Sequence, residues 1–322
     1  MSVALTLPRR ESKGLRTPPR ALNGAAASLL EHVRDGRFQR SLSAIVAATS
    51  VASGLEVGYE HYKGSYSNPV MYSPVLLSAG LALAGAAAVF SRTAARIVLR
   101  AMSIASLVNG VIGFGFHIRG IARKPGGWRL PVTNVVMGPP VFAPLLFGTS
   151  AYLGWLASYL RREDDPPDQH DETEGGQGKA SRYSNRKAGI SHGYFQKHLC
   201  VITIAWALFS GFEALYSHYK SNFRYKAQWT PVLLTPILVA AAGGAIVSAR
   251  IARTLLPAAS ALAFADGAAG FCYHARGVAR RPGGTRKLIY NILYGPPIFA
   301  PLLFAACGFL GLLASALKRE SK

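Results

Sequence analysis

The sequence predicts an all-α integral membrane protein with eight transmembrane helices, arranged as two tandem parallel-repeat four-helix bundles. Three observations lead there. The chain is 50% hydrophobic and only 16% charged, against about 25% charged in an ordinary soluble domain. Its apolar residues gather in eight long blocks. Residues 53–163 recur at 210–320 with a constant offset of 157 and no gap, and about 50 of 111 positions are identical. A unit of that length is a duplicated domain rather than a solenoid repeat.

The blocks run roughly over 42–62, 74–90, 97–118, 135–160, 198–219, 231–248, 255–274 and 289–317. A spanning helix needs about 20 mainly apolar residues, within a range of about 17–25. Each block meets that range or exceeds it, and a soluble helical protein would have too little polar surface to cover eight of them. Each half holds an even number of spans, so both enter the membrane the same way up and are related by an axis along its normal. The expected organisation is a basic cytoplasmic tail (1–41), a first membrane repeat (42–160), a polar cytoplasmic linker (161–197), a second repeat (198–317) and a short cytoplasmic tail (318–322). Within the first tail, Leu22, Ala26, Leu29, Leu30 and Val33 fall at helical spacing ahead of Arg34, Arg37 and Arg40, a pattern suited to an interfacial helix. The linker's polar composition predicts a flexible tether.

Charge sets the orientation. The net charge is +21. With the N-terminus inside, about 23 Lys and Arg fall on the inner side and about 13 on the outer, so the positive-inside rule puts both termini in the cytoplasm and the chain in an inner membrane. Anionic lipid heads account for this basicity without nucleic acid. Arg9-Arg10 has no apolar run within reach and forms neither a secretory nor a twin-arginine signal. Cys200, Cys272 and Cys307 lie in apolar blocks and have no counterpart in the other half, which argues against a disulfide framework or a thiolate metal site.

The duplication lets one half be read against the other. Glu56, Tyr59, His61, Tyr62, Lys63, His117 and Arg119 match Glu213, Tyr216, His218, Tyr219, Lys220, His274 and Arg276. In the eight-span topology all of them lie near the outer face. Glu56 sits about 7.5 Å deeper than His61 along its helix. An acid at that depth costs about 2.5–3.5 kcal/mol, so it calls for a partner such as Arg119, Lys63 or a tyrosine hydroxyl, or for a role as metal ligand or proton carrier.

Gly110, Gly113 and His117 share one helix face, as do Gly267, Gly270 and His274. Gly54 precedes His61 by seven residues, and Gly211 precedes His218 by the same interval. An imidazole above a glycine strip suits a flat macrocycle, with His61/His117 and His218/His274 as axial pairs for haem b. The same strips equally suit close helix packing. A second chemistry joins Glu56, His61 and His117, and likewise Glu213, His218 and His274, around a transition metal. Against it, Glu56 and His61 point about 140° apart on one helix. Asp266 stands where the first half has Asn109, so the two sites differ. Arg119, Arg123 and Lys124, matched by Arg276, Arg280 and Arg281, flank Pro-Gly-Gly turns and suit lipid phosphates or haem propionates. Nucleotide, kinase and serine-hydrolase signatures are absent from the sequence.

These residues point first to a redox-related protein that binds haem b or a transition metal, serving electron transport with other membrane or periplasmic redox subunits. A second reading is a proton- or ion-coupled transporter using Glu56, Glu213 and Asp266. A third is a cofactor-free anchor or assembly subunit. For the topology, reporter fusions within 170–190 are expected to report the cytoplasm; a periplasmic signal there would invert the assignment of every residue above.

Overall fold

The computed structural model describes residues 28, 31–34, 36–165 and 193–317. The described residues are helical, with no strands. In the first half, α1 is Gln39–Lys63, α2 Ser73–Phe90, α3 Arg100–Ala122, α4 Pro131–Val136 and α5 Ala143–Ala157. In the second, α6 is Tyr194–Lys220, α7 Thr230–Val247, α8 Ala249–Arg253, α9 Leu255–Ala279, α10 Leu288–Leu293 and α11 Ala300–Ala316. Six of these segments are long and apolar enough to cross a membrane, while Ala300–Ala316 is apolar but shorter. This fits a polytopic membrane protein.

The last apolar block of each half does not form one long helix. Residues 135–160 divide into the end of α4, a non-helical stretch and α5. Prolines cause the break. Pro139 and Pro140 lie before α5 rather than in its first turn, and Pro144 occupies that first turn, where its missing N–H costs nothing. Pro144 therefore starts α5 instead of kinking it, contrary to what its spacing suggests. Pro296, Pro297 and Pro301 repeat the arrangement before α11.

Within the first half, α1 packs on α2 and α5, and α3 packs on α2 and α5; the same pairs recur as α6 with α7 and α11, and α9 with α7 and α11. Burial concentrates at one end, here called the terminal end. Leu42, Val46, Ala88, Leu99 and Leu153 share one core there with Leu199, Ala245, Leu256 and Leu310 of the other half. The opposite end, where α1, α3, α6 and α9 finish, is here called the histidine end.

Polar contacts close the terminal end. Gln39 donates to the Ala88 carbonyl at 3.1 Å and Arg40 to the Val89 carbonyl at 3.1 Å, tying α1 to α2. Arg100 reaches Ser158 on its hydroxyl and its carbonyl. The Glu163 carboxylate accepts from the N–H groups of Arg40 and Ser41 at 2.9 and 2.7 Å, and so caps the free donors of α1. Asp165 pairs with Arg92 at 2.6 Å, and the Arg162 guanidinium holds the exposed Asp164 carboxyl below its ordinary range. The first residues of the expected flexible linker are thus bonded to the bundle. The rest of that linker, the C-terminal tail and most of the expected interfacial helix lie outside the described residues. Residues 31–34 are helical, and Val33 is buried in the shared core rather than facing lipid.

Glu163→Ala is expected to lower stability by about 0.5–2 kcal/mol, the usual cost of a lost helix cap, read as a drop in the melting temperature of the detergent-solubilised protein; Glu163→Gln, which keeps an acceptor, is expected to lose less.

Candidate functional site at the junction of the two halves

The prolines before α5 and α11 create a local requirement. A helix start leaves its first N–H groups without internal partners. Prolines at 139, 140 and 144 remove three of the donors around the start of α5, so Val141, Phe142 and Ala143 carry the N–H groups that remain. At membrane depth an unsatisfied N–H costs several kcal/mol. The other half of the chain supplies the acceptor. Glu213 Oε1, on α6, accepts from the Phe142 N–H at 2.5 Å, and its carboxylate also takes the Ala143 N–H. Reciprocally, Glu56 Oε2, on α1, accepts from the Phe299 N–H at 3.0 Å, at the start of α11. The two bonds are counterparts at the 157-residue offset, and each runs from one half to the other. A carboxylate at a helix N-terminus also gains from the helix dipole.

Each glutamate belongs to a ladder along its own helix. Tyr59 and Lys63 follow Glu56 by three and seven residues, within about 60° of it around the helix. Tyr216 and Lys220 follow Glu213 in the same way. The Tyr216 hydroxyl donates to Glu213, and Tyr59 stands beside Glu56. The ammonium groups of Lys63 and Lys220 lie 5.5 and 5.6 Å from the Tyr59 and Tyr216 rings. Lys63 pairs with Glu60 at 2.7 Å, and Lys220 feels Glu60, Lys63 and Lys124 across the junction. The ladders therefore face each other between the halves. The sequence identified their residues as matched but grouped the glutamates with the histidines; the 3- and 7-residue spacing to Tyr and Lys, with prolines opposite, was the signal for this grouping.

The four histidines lie on other faces and share one pattern. His61 Nδ1 meets the Met71 carbonyl at 2.7 Å and His218 Nδ1 the Gln228 carbonyl at 2.8 Å. His117 and His274 meet the Pro140 and Pro297 carbonyls, each at 2.5 Å. A carbonyl only accepts, so each Nδ1 carries a proton, and in the neutral form of the ring Nε2 is then the lone pair. His61 and His117 are close enough to interact electrostatically, as are His218 and His274. Each ring also ties a helix end to the next segment of its half. The glutamates do not join them. Among the described residues no group of three or more His, Cys, Asp or Glu side chains is placed to hold a metal ion.

The glycine strips receive a helix. A methyl group on Gly110 would lie 2.7 Å from the Pro144 carbonyl oxygen, and one on Gly113 would lie 3.0 Å from Pro144 Cβ. Gly267 meets Ala305 and Pro301, and a methyl on Gly270 would lie 2.9 Å from Pro301 Cβ. Gly54 and Gly211 face Ser78 and Thr235 on the second span of each half. Asn109 donates to the Ser73 hydroxyl at 2.7 Å, whereas Asp266 accepts from Thr230. Both stay within their own half, away from the glutamate ladders.

The basic turns end in two left-handed residues, Gly126 (φ +79°) and Gly127 (φ +47°), repeated at Gly283 and Gly284; this backbone explains the Gly-Gly pair. Asn134 closes the first turn on the Pro125 and Gly127 carbonyls, and Asn291 closes the second on Pro282 and Gly284. Among the described residues, Arg119, Arg123, Lys124, Arg276, Arg280 and Arg281 form no ion pair.

The two junctions differ in their aromatic packing. The Phe142 ring is stacked by Phe209 at 4.6 Å and met edge-on by Phe212 at 5.4 Å, both on the helix that carries Glu213. At the matching positions the other junction has Ala52 and Leu55; Phe299 is stacked by Phe271 of its own half at 6.1 Å, as Phe142 is by Phe114 at 5.9 Å. Phe142, Phe209, Phe212, Leu208, Ile118 and Trp128 line an apolar groove of about 420 Å³.

No family model, curated protein or solved structure matches this chain, so its own geometry carries the functional reading.

Gly113→Leu is expected to destabilise the protein by about 1–3 kcal/mol through overpacking against Pro144. Gly115→Leu, where no atom lies within 4 Å of an added methyl, is expected to leave the melting temperature unchanged; equal losses for both would show that the strip is not the seat of α5.

Proposed function

We propose that this is an eight-span protein of the inner membrane with both termini cytoplasmic, built as two parallel four-helix halves, and that it is a proton-coupled transporter with Glu56 and Glu213 as its coupling acids. The eight-span reading is supported by α5 and α11. At 15 and 17 residues they extend about 22–26 Å, and the non-helical stretches before them make up the remaining depth. The observation that carries the coupling reading is the reciprocal bond of each glutamate to the other half's helix start. Transporters made of two repeats move one repeat against the other around a site at their junction. Here the halves share a buried core at the terminal end, and the carboxylates hold them together at the histidine end.

The chemistry is a proton equilibrium at two oxygens. The ionised carboxylate accepts N–H bonds from the facing helix start, a charge-assisted contact of about 1.5–3 kcal/mol. Protonation from the outer side removes the charge and weakens that contact and its dipole term. The halves then part at the histidine end while the terminal end stays closed. Deprotonation toward the inner side restores the latch after the halves have rocked. Tyr59 and Tyr216 stand beside the carboxylates, and Lys63 and Lys220 continue the same ladders toward the helix ends.

A cofactor role for the histidines is the second reading. What favours it is the common tautomer: a ring fixed through Nδ1–H on a carbonyl is the arrangement that supports ligation through Nε2. Haem b or a transition metal held by His61/His117 and His218/His274 would then lie at the ring edges, since the glycine strips are filled.

The test compares spin-label distances between positions 67 and 224, one in each exposed loop at the histidine end, in a cysteine-free background. Acidification is expected to lengthen that distance in the wild type. Glu56→Gln/Glu213→Gln, a neutral pair that retains its acceptor oxygens, is expected to remove the pH response and to abolish proton uptake into proteoliposomes under an imposed pH gradient. A pH-independent distance together with no proton uptake by the wild type would leave an anchor or assembly role. A Soret band or stoichiometric metal in the purified protein, lost in His117→Ala and His274→Ala, would favour the cofactor reading.

A further inference from the structure

We infer that the apolar groove beside Phe142 seats one anionic phospholipid of the surrounding bilayer, its acyl chain against Phe209 and Phe212 and its phosphate at Lys124 and Lys220. The groove opens between α3 and α6 and is lined by apolar side chains, so nothing in it satisfies a polar ligand. Trp128 forms part of its wall and is half exposed, in the manner of an indole at the level of lipid headgroups. Lys124 lies four residues before Trp128 in the same turn. Lys220 lies eight residues beyond Phe212, about 12 Å along α6. The two ammonium groups are near enough to interact, and between them they provide the charge that a lipid phosphate requires above an apolar slot. Glu60 and Glu213 also face Lys220; Glu60 is held by Lys63, and Glu213 by the α5 helix start. Lys124 is left without an ion pair among the described residues.

The opposite junction carries the caps but lacks the aromatic wall. Thr285, Ala52 and Leu55 replace Trp128, Phe209 and Phe212. A slot walled by these three aromatic rings therefore occurs once in the sequence, and the expected stoichiometry is one lipid rather than two. The inference stands apart from the proton-coupled reading: a lipid bound here would be a resident one whether or not the halves move.

The test is native mass spectrometry of the full chain in mild detergent, titrated separately with phosphatidylglycerol and phosphatidylcholine of the same acyl chains. One phosphatidylglycerol per chain is expected to be retained, with at least tenfold preference over phosphatidylcholine. Lys124→Glu is expected to erase the preference, as is Lys124→Ala/Lys220→Ala. Trp128→Thr/Phe209→Ala/Phe212→Leu, which installs the residues of the opposite junction, is expected to lose retention of both lipids. Equal retention of the two lipids, two lipids per chain, a preference unchanged by Lys124→Glu, or a lipid-free dimer that breaks up on the triple substitution would each overturn the inference.

Discussion

Half-buried backbone donors at the start of α5, and their counterpart at the start of α11, set the terms for the histidine end of this protein. Proline removes neighbouring N–H groups and stops the helix from extending back to supply acceptors. The donors that remain lie too deep for water to serve them cheaply. A carboxylate on the other half's helix meets the need, and it must come from a helix whose end is level with that start. Both bonds are made this way, so a local demand for hydrogen bonding fixes how the halves meet.

Much of this was legible, though not the partner. Glu56 stood out as an acid at membrane depth, and a tyrosine hydroxyl was among the expected partners; Tyr216 fills that role for Glu213. The main partner is a backbone N–H about 240 residues away, which no inventory of side chains can reveal. The proline pattern before Phe142 and Phe299 was its only trace. The glycine strips show a different limit. Seven-residue spacing of Gly and His describes a smooth helix face, and a smooth face accepts a ring or a helix equally well. What filled it was decided by Pro144 and Pro301, which stand in the first turn of α5 and α11 and bring those helix starts onto the strips.

The histidines show how a matched residue can have two explanations that geometry alone does not separate. Each Nδ1–H satisfies a carbonyl in the segment that follows its helix. That is sufficient reason for histidine at each position. It also leaves four lone pairs in two like-placed pairs, which a purely structural clasp does not require. Glutamine could reach the same carbonyls but has no comparable ligand atom.

The distribution of burial assigns different tasks to the two ends. At the terminal end, leucines and alanines of both halves interdigitate in one core, and separating them would expose apolar surface to the polar membrane boundary. At the histidine end the contacts between halves are few and polar, apart from the aromatic grip on Phe142. An apolar core does not itself respond to a proton, whereas a carboxylate cap depends on one. Parting the halves at the histidine end would therefore cost least at Phe299, whose ring is stacked by Phe271 of its own half, whereas Phe142 is gripped by Phe209 and Phe212 of the other half. Phe142 is held across the junction by both a bond and two rings of the other half, and would be the pivot of any such motion. Equivalent caps with unequal packing give the junction one side that releases and one that holds.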